Sequence, residues 1–356
     1  MSSVPRGFLL SVAVFTLIYA FVSFLFSLLI SFGLFVIFCS LFVVFISYAR
    51  IPAPSQKVVE EILGLDYYEV KSEDASNLDK ECPSSSGFVM PIVAHRGACL
   101  DAPENSLTAF RLVKLRGVHG VELDVSLTKD KVPIVFHDEV VDRVTNGAGR
   151  VVDLTYEEIK ELDLSTKFIF PQEFSLERIP KLSEAIDLCL DLDLRIMIDV
   201  KEPDSQLADA VLAEYKRRPE LKKRAMVSSF FPNIIYLVRL GDPDIVCSMA
   251  VRPNFFAYKD FIPGFGPSHP RFDAWWKHWG ACFLDQLLEI SQYSFTPYFL
   301  GLSAILSSHV GVDIVKLSHW RSQGLRVFIW TLNDPVAKKY CHEVLRTPYL
   351  TDTLDL

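Results

Sequence analysis

The chain has 356 residues, 50% of them hydrophobic, and a formal net charge of −8 at pH 7. This length exceeds one typical domain and suits a membrane segment followed by a single barrel of roughly 250 residues. The acidic balance, with no basic stripe along the chain, disfavours nucleic-acid binding. Seven cysteines without paired Cys-x-x-Cys spacing give no support for a zinc site, and their odd number favours free thiols.

The N-terminal segment is the first predicted element. Residues 8–48 include no charged side chain. This run is about twice the roughly 20 residues that cross a bilayer, and it is too long for the apolar core of a signal peptide. We therefore expect residues 1–50 to be embedded in a membrane, with a cleaved leader as the alternative. Because Gly33 lies near the middle, a helical hairpin that turns at residues 31–33 is favoured over one long tilted helix.

The charges beside this run do not fix its orientation. Arg6 precedes it, and Arg50 and Lys57 follow it. A hairpin would keep both flanks in the cytosol, whereas a single span would send the following domain across the membrane. The chain has no Asn-x-Ser/Thr sequon, so no glycosylation signal marks a lumenal side. We expect an integral protein of the plasma membrane or an endomembrane, and the sequence leaves the side of the following domain open.

Residues 51–90 are predicted to form a tether. Pro52, Pro54 and Pro83, together with the Ser-Ser-Ser-Gly run, break any long regular element. Residues 58–65 could form an amphipathic helix on the membrane surface or the first cover of a barrel, and the second interpretation is favoured.

From Pro91 onward, short apolar strands alternate with helical patterns, which predicts a parallel sheet. Polar and charged groups recur at many strand ends, and a (β/α)₈ TIM barrel brings all its strand carboxyl ends to one mouth. We therefore predict such a barrel over residues 91–356. The predicted strands are residues 92–94, 121–125, 134–136, 194–200, 225–228, 244–250, a short segment near 300, 325–330 and 349–351.

An apolar, aromatic stretch at about residues 254–305 departs from a compact barrel. A second membrane span there is disfavoured because Asp285 and Glu289 interrupt it, and a charge facing lipid costs several kcal/mol. The preferred interpretation is a barrel helix plus an insertion that dips into the membrane interface beside the mouth.

Three carboxylates form a candidate metal site. Glu122 and Asp124 are two residues apart on a predicted strand, so they share one face, and two like charges at that distance need a cation. Asp199 ends another strand and is the natural third ligand. Carboxylate oxygens with open water positions suit a hard divalent ion, Mg²⁺ or Ca²⁺. The alternative is a helix cap or an ion-pair role for Glu122 or Asp124.

The motifs that carry these residues resemble the glycerophosphodiester phosphodiesterase family. The first matches are His95-Arg96-Gly97, Pro103-Glu104-Asn105, Glu122-x-Asp124 and His137-Asp138. Later matches are Asp199-x-Lys201, Ser228-Ser229-Phe230, Trp330-Thr-Leu-Asn333 and Thr351-Asp352. Arg252-Pro253 and the segment 271–278 resemble its membrane-anchored animal branch. The resemblance implies a TIM barrel and a metal-dependent phosphodiesterase.

The resemblance also suggests roles for individual residues. His95 and His137 would be the catalytic acid and base, because imidazole can do either near neutral pH. Arg96 and Lys201 would bind the phosphate. Glu104 and Asn105 are expected to hold Arg96 or the glycerol hydroxyls, although a helix-start role explains them nearly as well. His119, His278, His309 and His319 lack such company and are expected to be structural.

One residue departs from the family pattern. The family usually carries Glu where Asp199 stands, and the shorter side chain could loosen or shift the metal site. The resemblance implies hydrolysis of glycerophosphodiesters, of the glycerophosphoinositol type and extending to glycerophospho-N-acylethanolamines, to glycerol 3-phosphate and an alcohol. Mg²⁺ is the favoured cofactor, with Ca²⁺ as the alternative. Two other functions stay open: a lysophospholipase D acting on lyso-lipids, and a membrane scaffold with a weak site.

Overall fold

The computed structural model describes residues 6–69, 88–259, 261–262 and 266–355, in two units, Met1–Arg50 and Ile51–Leu356. In the first unit, α1 (Arg6–Ala49) is one continuous helix, so the predicted hairpin is wrong. The run has no proline to remove a backbone donor, and one glycine costs only about 1 kcal/mol relative to alanine, so residues 31–33 stay helical. The part Phe21–Ala49 is long and apolar enough to cross a membrane.

The second unit begins with a short helix that covers one end of the barrel. Helix α2 (Gln56–Leu63) buries Val59, Ile62 and Leu63 in a cluster that includes residues of the barrel strands. Of the two interpretations of this segment, the barrel cover is therefore correct. Residues 70–87 of the predicted tether lie outside the described residues.

The strands, numbered in chain order, are β1 (Ile92–Ala94), β2 (Gly120–Leu127), β3 (Pro133–Val135), β4 (Arg195–Val200), β5 (Ala225–Ser229), β6 (Cys247–Val251), β7 (Phe261–Ile262), β8 (Gly266–Pro267), β9 (Ala304–Ser308), β10 (Arg326–Trp330) and β11 (Tyr349–Thr351). Eight of them pair in parallel in the order β1-β2-β4-β5-β6-β9-β10-β11, and β11 returns to β1. The chain therefore closes the predicted (β/α)₈ barrel.

Two predicted strands differ from those observed. β3 lies outside the barrel and pairs antiparallel with β2, with Val125 opposite Val135. Ile134 in β3 and Phe136 after it are buried in a separate apolar cluster. The sequence of this run is therefore as apolar as that of a barrel strand, although the run lies outside the barrel. The strand expected near residue 300 begins at Ala304, because α9 (Thr296–Leu300) occupies the earlier position.

The remaining helices connect the strands: α3 (Leu107–Leu115), α4 (Tyr156–Ile159), α5 (Leu182–Asp191), α6 (Ser205–Arg217), α7 (Pro232–Gly241), α8 (Trp275–Ser294), α10 (Ile314–Ser322) and α11 (Pro335–Tyr340). The Ser106 side chain caps α3 by accepting from the amide of Ala109, 3.0 Å away. The aromatic stretch between β6 and β9 contains the β7–β8 ribbon and α8, which is the longest of these connecting helices.

Candidate active site

A cavity of ≈ 370 Å³ opens at the carboxyl ends of the barrel strands. Parallel strands deliver the residues at their ends to this rim, where active sites of such barrels lie. The charged and imidazole side chains in the lining are His95, Arg96, Glu122, His137, Asp199, Lys201, Arg252 and Lys259. Phe230 and Trp330 add an aromatic wall, with ring centroids 5.8 Å apart. One part of the cavity lining, which we call the floor, is therefore formed by charged and imidazole side chains, and another part by the two aromatic rings.

A tight turn after β1 brings His95 and Arg96 into the cavity. Arg96 and Gly97 both have left-handed backbones, with φ of 52° and 80°. A Cβ at Gly97 would lie 2.7 Å from the Cβ of Ala109 in α3, so only glycine fits there. The backbone amide of Arg96 donates to Glu122 Oε2 at 2.9 Å, which ties the turn to the neighbouring strand.

The three predicted carboxylates lie together. Glu122 and Asp124 on β2 and Asp199 on β4 are buried, and their oxygens lie within 4.8 Å of one another. The β2–β4 register sets Asp124 directly beside Asp199. Burial and then the charge of Asp124 raise the pKa of Glu122 well above its usual value. Burial opposes ionisation of Asp124 too, but Lys201, His137 and Arg96 outweigh it and hold its pKa well below the usual value.

Lys201 and Arg96 face these carboxylates. Lys201 Nζ lies 2.8 Å from Asp124 Oδ1 and also contacts Asp199 Oδ2. Arg96 Nε is 3.5 Å from Asp124 Oδ2. Burial lowers the pKa of both bases, yet the neighbouring carboxylates outweigh it and raise both pKa values, so both stay charged. Two cations therefore border the three acids.

The carboxylate cluster fits a hard divalent cation. All three donors are oxygens, which Mg²⁺ and Ca²⁺ prefer. Asp199 Oδ1 is buried and has no hydrogen-bond partner among the residues that the structure describes, and such an atom is costly unless a ligand satisfies it. The raised pKa of Glu122 points the same way, because a third negative charge is unfavourable there without a further cation. The shorter Asp199 still reaches the cluster, so its departure from the family pattern does not remove it from the candidate ligands.

Each candidate catalytic histidine is hydrogen-bonded to an aspartate. His95 Nδ1 lies 2.6 Å from Asp352 Oδ1, and His137 Nδ1 lies 2.6 Å from Asp138 Oδ1. A carboxylate that accepts from Nδ1 favours the tautomer protonated at Nδ1. Nε2 is then the nitrogen that can exchange a proton with a substrate. His95 Nε2 is 3.9 Å from Glu122 Oε2, so this nitrogen faces the carboxylate cluster. Burial and Arg96 lower the pKa of His95, and Asp352 partly restores it.

Glu104 and Asn105 support the site in different ways. Glu104 Oε1 accepts from Arg96 Nη1 at 3.3 Å, as the sequence suggested. Asn105 contacts a carboxylate of the candidate metal site and not a guanidinium, because its Nδ2 donates to Asp124 Oδ2 at 2.8 Å. The backbone amide of Asn105 also donates to the Arg96 carbonyl at 2.8 Å, which closes the turn.

Sequence reasoning assigned no role to three residues of this network, Arg143, Asp352 and Asn333, although the last two lie in quoted motifs. Arg143 donates through both Nη atoms to Glu104, at 2.9 and 2.7 Å, and through Nε to Asp138 at 2.5 Å. It lies in a short turn with no strand end or motif to mark it. Asp352 directly follows β11, so the strand-end rule that identified His95 could have given it a role. Asn333 in turn donates to Asp352 Oδ2 at 2.7 Å.

The histidines expected to be structural make other contacts. His319 stacks on Tyr293 with ring centroids 3.7 Å apart, and His278 meets Tyr258 edge-on at 5.2 Å. Neither lines the cavity among the residues that the structure describes.

Comparison with known proteins agrees with this geometry. The model of the Glycerophosphoryl diester phosphodiesterase family matches residues 95–254. Glycerophosphodiester phosphodiesterase 1 from Homo sapiens is 36% identical over 262 residues, 74% of this chain and 77% of that protein. The Mus musculus protein of the same name is 37% identical over the same shares. A phosphodiesterase from Oleispira antarctica, solved with sn-glycerol-3-phosphate, has the same fold, with a TM-score of 0.54 and 24% identity over 73% of this chain and 92% of that one.

Proposed function

Because the chain belongs to the glycerophosphodiester phosphodiesterase family, we propose that it hydrolyses glycerophosphoinositol-type diesters, and glycerophospho-N-acylethanolamines with them, in a metal-dependent reaction. The products are glycerol 3-phosphate and an alcohol. The observation that carries the proposal is one cavity lined by His95, His137, Arg96 and Lys201 above a cluster of three buried carboxylates, two of which, Glu122 and Asp199, also line it. This set supplies the charge neutralisation and the proton transfers that cleavage of a phosphodiester needs.

Glu122, Asp124 and Asp199 would hold the metal, and Mg²⁺ suits their all-oxygen donor set best. When bound, such an ion neutralises phosphate charge and favours the developing negative charge of the transition state. Asn105 keeps Asp124 oriented through its 2.8 Å hydrogen bond. Lys201 forms ion pairs with both Asp124 and Asp199, and its positive charge reduces the repulsion between the two carboxylates.

Arg96 and Lys201 would bind the phosphate oxygens from the same floor. The guanidinium offers a planar fork of donors, and the ammonium offers a compact charge. Glu104 fixes the fork of Arg96, and Arg143 fixes Glu104. The cations are thus pre-organised before a substrate arrives, so little reorganisation is needed during the reaction.

We assign the base to His95 and the acid to His137. The His95 side chain is 14% exposed and the His137 side chain 30%, so His95 lies deeper. The glycerol end of the substrate fits the deep position, because the variable leaving alcohol must depart toward solvent. His95 Nε2 would take the proton of the glycerol 2-hydroxyl. That oxygen would attack phosphorus while His137 gives a proton to the departing alkoxide, and water would then open the cyclic phosphate to glycerol 3-phosphate.

Release of glycerol 3-phosphate from glycerophosphoinositol tests the proposal. Detergent-purified full-length protein is assayed with Mg²⁺ or with EDTA, beside His137→Ala and Glu122→Ala variants. We expect release that needs Mg²⁺ and is lost in both variants. If folded protein hydrolyses neither this nor other glycerophosphodiesters, the result favours the alternative of a membrane scaffold.

The internal nucleophile has its own test. A diester that lacks the free 2-hydroxyl on glycerol cannot form the cyclic phosphate. We expect its turnover to fall by at least about a hundredfold, because the internal attack and its effective molarity are lost. Equal cleavage of this analogue would show that water attacks directly.

A lysophospholipase D activity is the second candidate, and the aromatic wall of Phe230 and Trp330 favours it. An acyl chain beside the leaving oxygen would find an apolar surface there. Turnover of a lyso-lipid and of glycerophosphoinositol is compared in wild type and Phe230→Ser. A selective loss on the lyso-lipid supports this activity, and an equal change on both substrates argues against it.

Membrane attachment completes the proposal. Helix α1 includes Phe21–Ala49, a stretch that could span a bilayer by its length and composition. Attachment would hold the barrel near glycerophosphodiesters that derive from membrane lipids. Resistance of the membrane-bound protein to extraction by alkaline carbonate tests it.

A further inference from the structure

The outer surface of α8 is unusually apolar for a barrel helix. Besides Leu284, six large apolar side chains on it are exposed, with exposed fractions as high as 75% for Trp275 and 71% for Trp279. The set is Trp275, Trp276, Trp279, Phe283, Leu287 and Ile290. Monomeric soluble proteins seldom expose a contiguous apolar patch of this size without a partner.

These six side chains share one face of the helix. At 3.6 residues per turn they fall within an arc of about 120°, and Ala281, Asp285 and Gln292 fall opposite. Those three are the buried residues of α8. Asp285 accepts from the amides of Phe256 and Ala257, at 2.7 and 2.9 Å, and so fixes the helix to the loop after β6. The buried face therefore holds α8 to the barrel and leaves the apolar face outward.

Charged residues of α8 avoid the outward face. Lys277 projects beside it with Nζ 5.4 Å from the Trp276 ring centroid, and Glu289 turns away to pair with Lys316 at 2.7 Å. Tryptophan is enriched at the headgroup level of bilayers, where its ring is apolar and its N–H can meet water. A flat face with three tryptophans and no charge suits a lipid surface better than a protein partner, whose interfaces usually add a polar rim.

The chain path gives a second, independent observation. Ile51 lies two residues after the last residue of α1, and its amide donates to the Phe299 carbonyl at 3.0 Å in α9, the helix that follows α8. The next residue is held as well, because the buried Arg239 donates to the Pro52 carbonyl. Two residues span at most about 7 Å. If α1 enters a bilayer, the corner between α8 and α9 must therefore lie close to the headgroups.

We propose that the outward face of α8 docks on the lipid bilayer, so that the barrel lies on its side on the membrane surface. α8 begins after the loop that follows β6, at the mouth end of the barrel, and leads through α9 to the start of β9 at the opposite end. Docking along its length brings the mouth beside the lipid headgroups. Substrates released from lipids, or still held in the bilayer, then reach the cavity without crossing bulk water. The inference rests on the membrane attachment in the proposed function.

Tryptophan fluorescence tests docking separately from the anchor. The chain has five tryptophans, and none lies in α1. Trp320 is buried and Trp330 lines the cavity, so only the three on α8 can meet lipid. Full-length protein is reconstituted in phosphatidylcholine vesicles with and without brominated acyl chains. We expect brominated lipid to quench the emission to about the level of a Trp275→Gln/Trp276→Gln/Trp279→Gln variant, which brominated lipid then leaves unchanged.

A pair of charge substitutions gives the functional readout. Phe283→Asp lies on the docking face, and Leu115→Asp on α3 is the matched control at another exposed apolar position. We expect Phe283→Asp to lower turnover of a vesicle-embedded lyso-lipid roughly tenfold, since a charge at a lipid contact is costly. Turnover of soluble glycerophosphoinositol should be unchanged in both variants.

The outcomes separate this inference from the proposed function. Carbonate-resistant protein whose tryptophans are quenched by aqueous acrylamide and not by brominated lipid overturns docking alone. Cross-linked dimers that protect the same tryptophans also overturn it, in favour of a second copy of the chain. Loss of carbonate resistance overturns the anchor and the docking together, and it leaves turnover of the soluble diester as the test of the active site.

Discussion

The two ends of the barrel use the same strands for opposite purposes. On β4, Met197 and Asp199 are two residues apart and so lie on the same face of the strand. Met197 belongs to a buried apolar cluster that α2 covers, whereas Asp199 joins the carboxylates beneath the cavity. One end of the barrel is therefore packed and sealed, and the other is charged and open.

This difference suggests how stability and chemistry are divided. Apolar burial at the sealed end contributes about 25 cal/mol per Å² removed from water. Buried like charges at the open end oppose folding, as the raised pKa of Glu122 indicates. We infer that apolar burial at the sealed end contributes enough free energy of folding to offset the unfavourable burial of like charges at the mouth. The following substitutions test that division.

Glu122→Gln should have the largest effect on catalysis. The amide keeps the size of the side chain but removes a charge of the candidate metal site, so kcat/KM is expected to fall by about a hundred- to a thousandfold. The melting temperature in EDTA should stay the same or rise, because a buried like charge is removed. Kinetics with excess Mg²⁺ and a thermal melt check both parts. A large loss of stability would contradict the division.

Met197→Ala should do the reverse. Truncating this buried side chain leaves a cavity in the sealed end and is expected to cost about 2–5 kcal/mol of unfolding free energy. The kcat of the protein that stays folded should lie close to wild type. Chemical denaturation followed by activity per folded molecule provides the measurement. An equal drop in kcat would mean that the two ends are coupled.

Asp352→Asn should alter the pH profile. Asp352 raises the pKa of His95, so its removal lowers that pKa. If His95 is the base, it then stays deprotonated to lower pH, and the acidic limb of kcat/KM moves to lower pH. The rate at the optimum should also fall by about ten- to a hundredfold as His95 loses its orientation. A shift of the alkaline limb instead would make His95 the acid, and exposed Asp355→Asn is the matched control.

Arg143→Lys should have the smallest effect. Lysine keeps the charge but cannot bridge Glu104 and Asp138 with a planar fork. We expect kcat/KM to fall by up to about tenfold, as for other residues that orient a site from behind, with stability unchanged. The exposed Arg150→Lys serves as control. Wild-type kinetics in the Arg143 variant would remove this residue from the positioning network.

Much of the fold could be predicted because local signals agreed with the global pattern. Short apolar runs, each ending in a charged or imidazole group, gave the barrel and gathered His95, Glu122 and Asp199 at one rim. The position of β3 could not be predicted, because Ile134 is buried in a cluster outside the barrel. An apolar sequence shows that a strand is buried, but it does not show whether the strand belongs to the barrel. The hairpin failed because Gly33 alone is a weak helix breaker.

The contacts between distant side chains were harder to foresee. Arg143 reaches Glu104 across 39 positions, and Asp352 reaches His95 across 257. No spacing rule connects such pairs, because pairing of β11 with β1 brings Asp352 to His95, and loops that follow different strands bring Arg143 to Glu104. The candidate catalytic groups were visible as strand ends, and Glu104 was expected beside Arg96, whereas the contacts of Arg143 and Asp352 became visible only in the structure.

We propose that the open end of the barrel can hold a divalent cation on Glu122, Asp124 and Asp199. The most direct measurement is Mn²⁺ binding by electron paramagnetic resonance, with Mg²⁺ as competitor. The account predicts saturable Mn²⁺ binding to wild type and to Met197→Ala, displacement by Mg²⁺, and loss of this binding in Glu122→Gln. Equal Mn²⁺ binding in wild type and Glu122→Gln would contradict it.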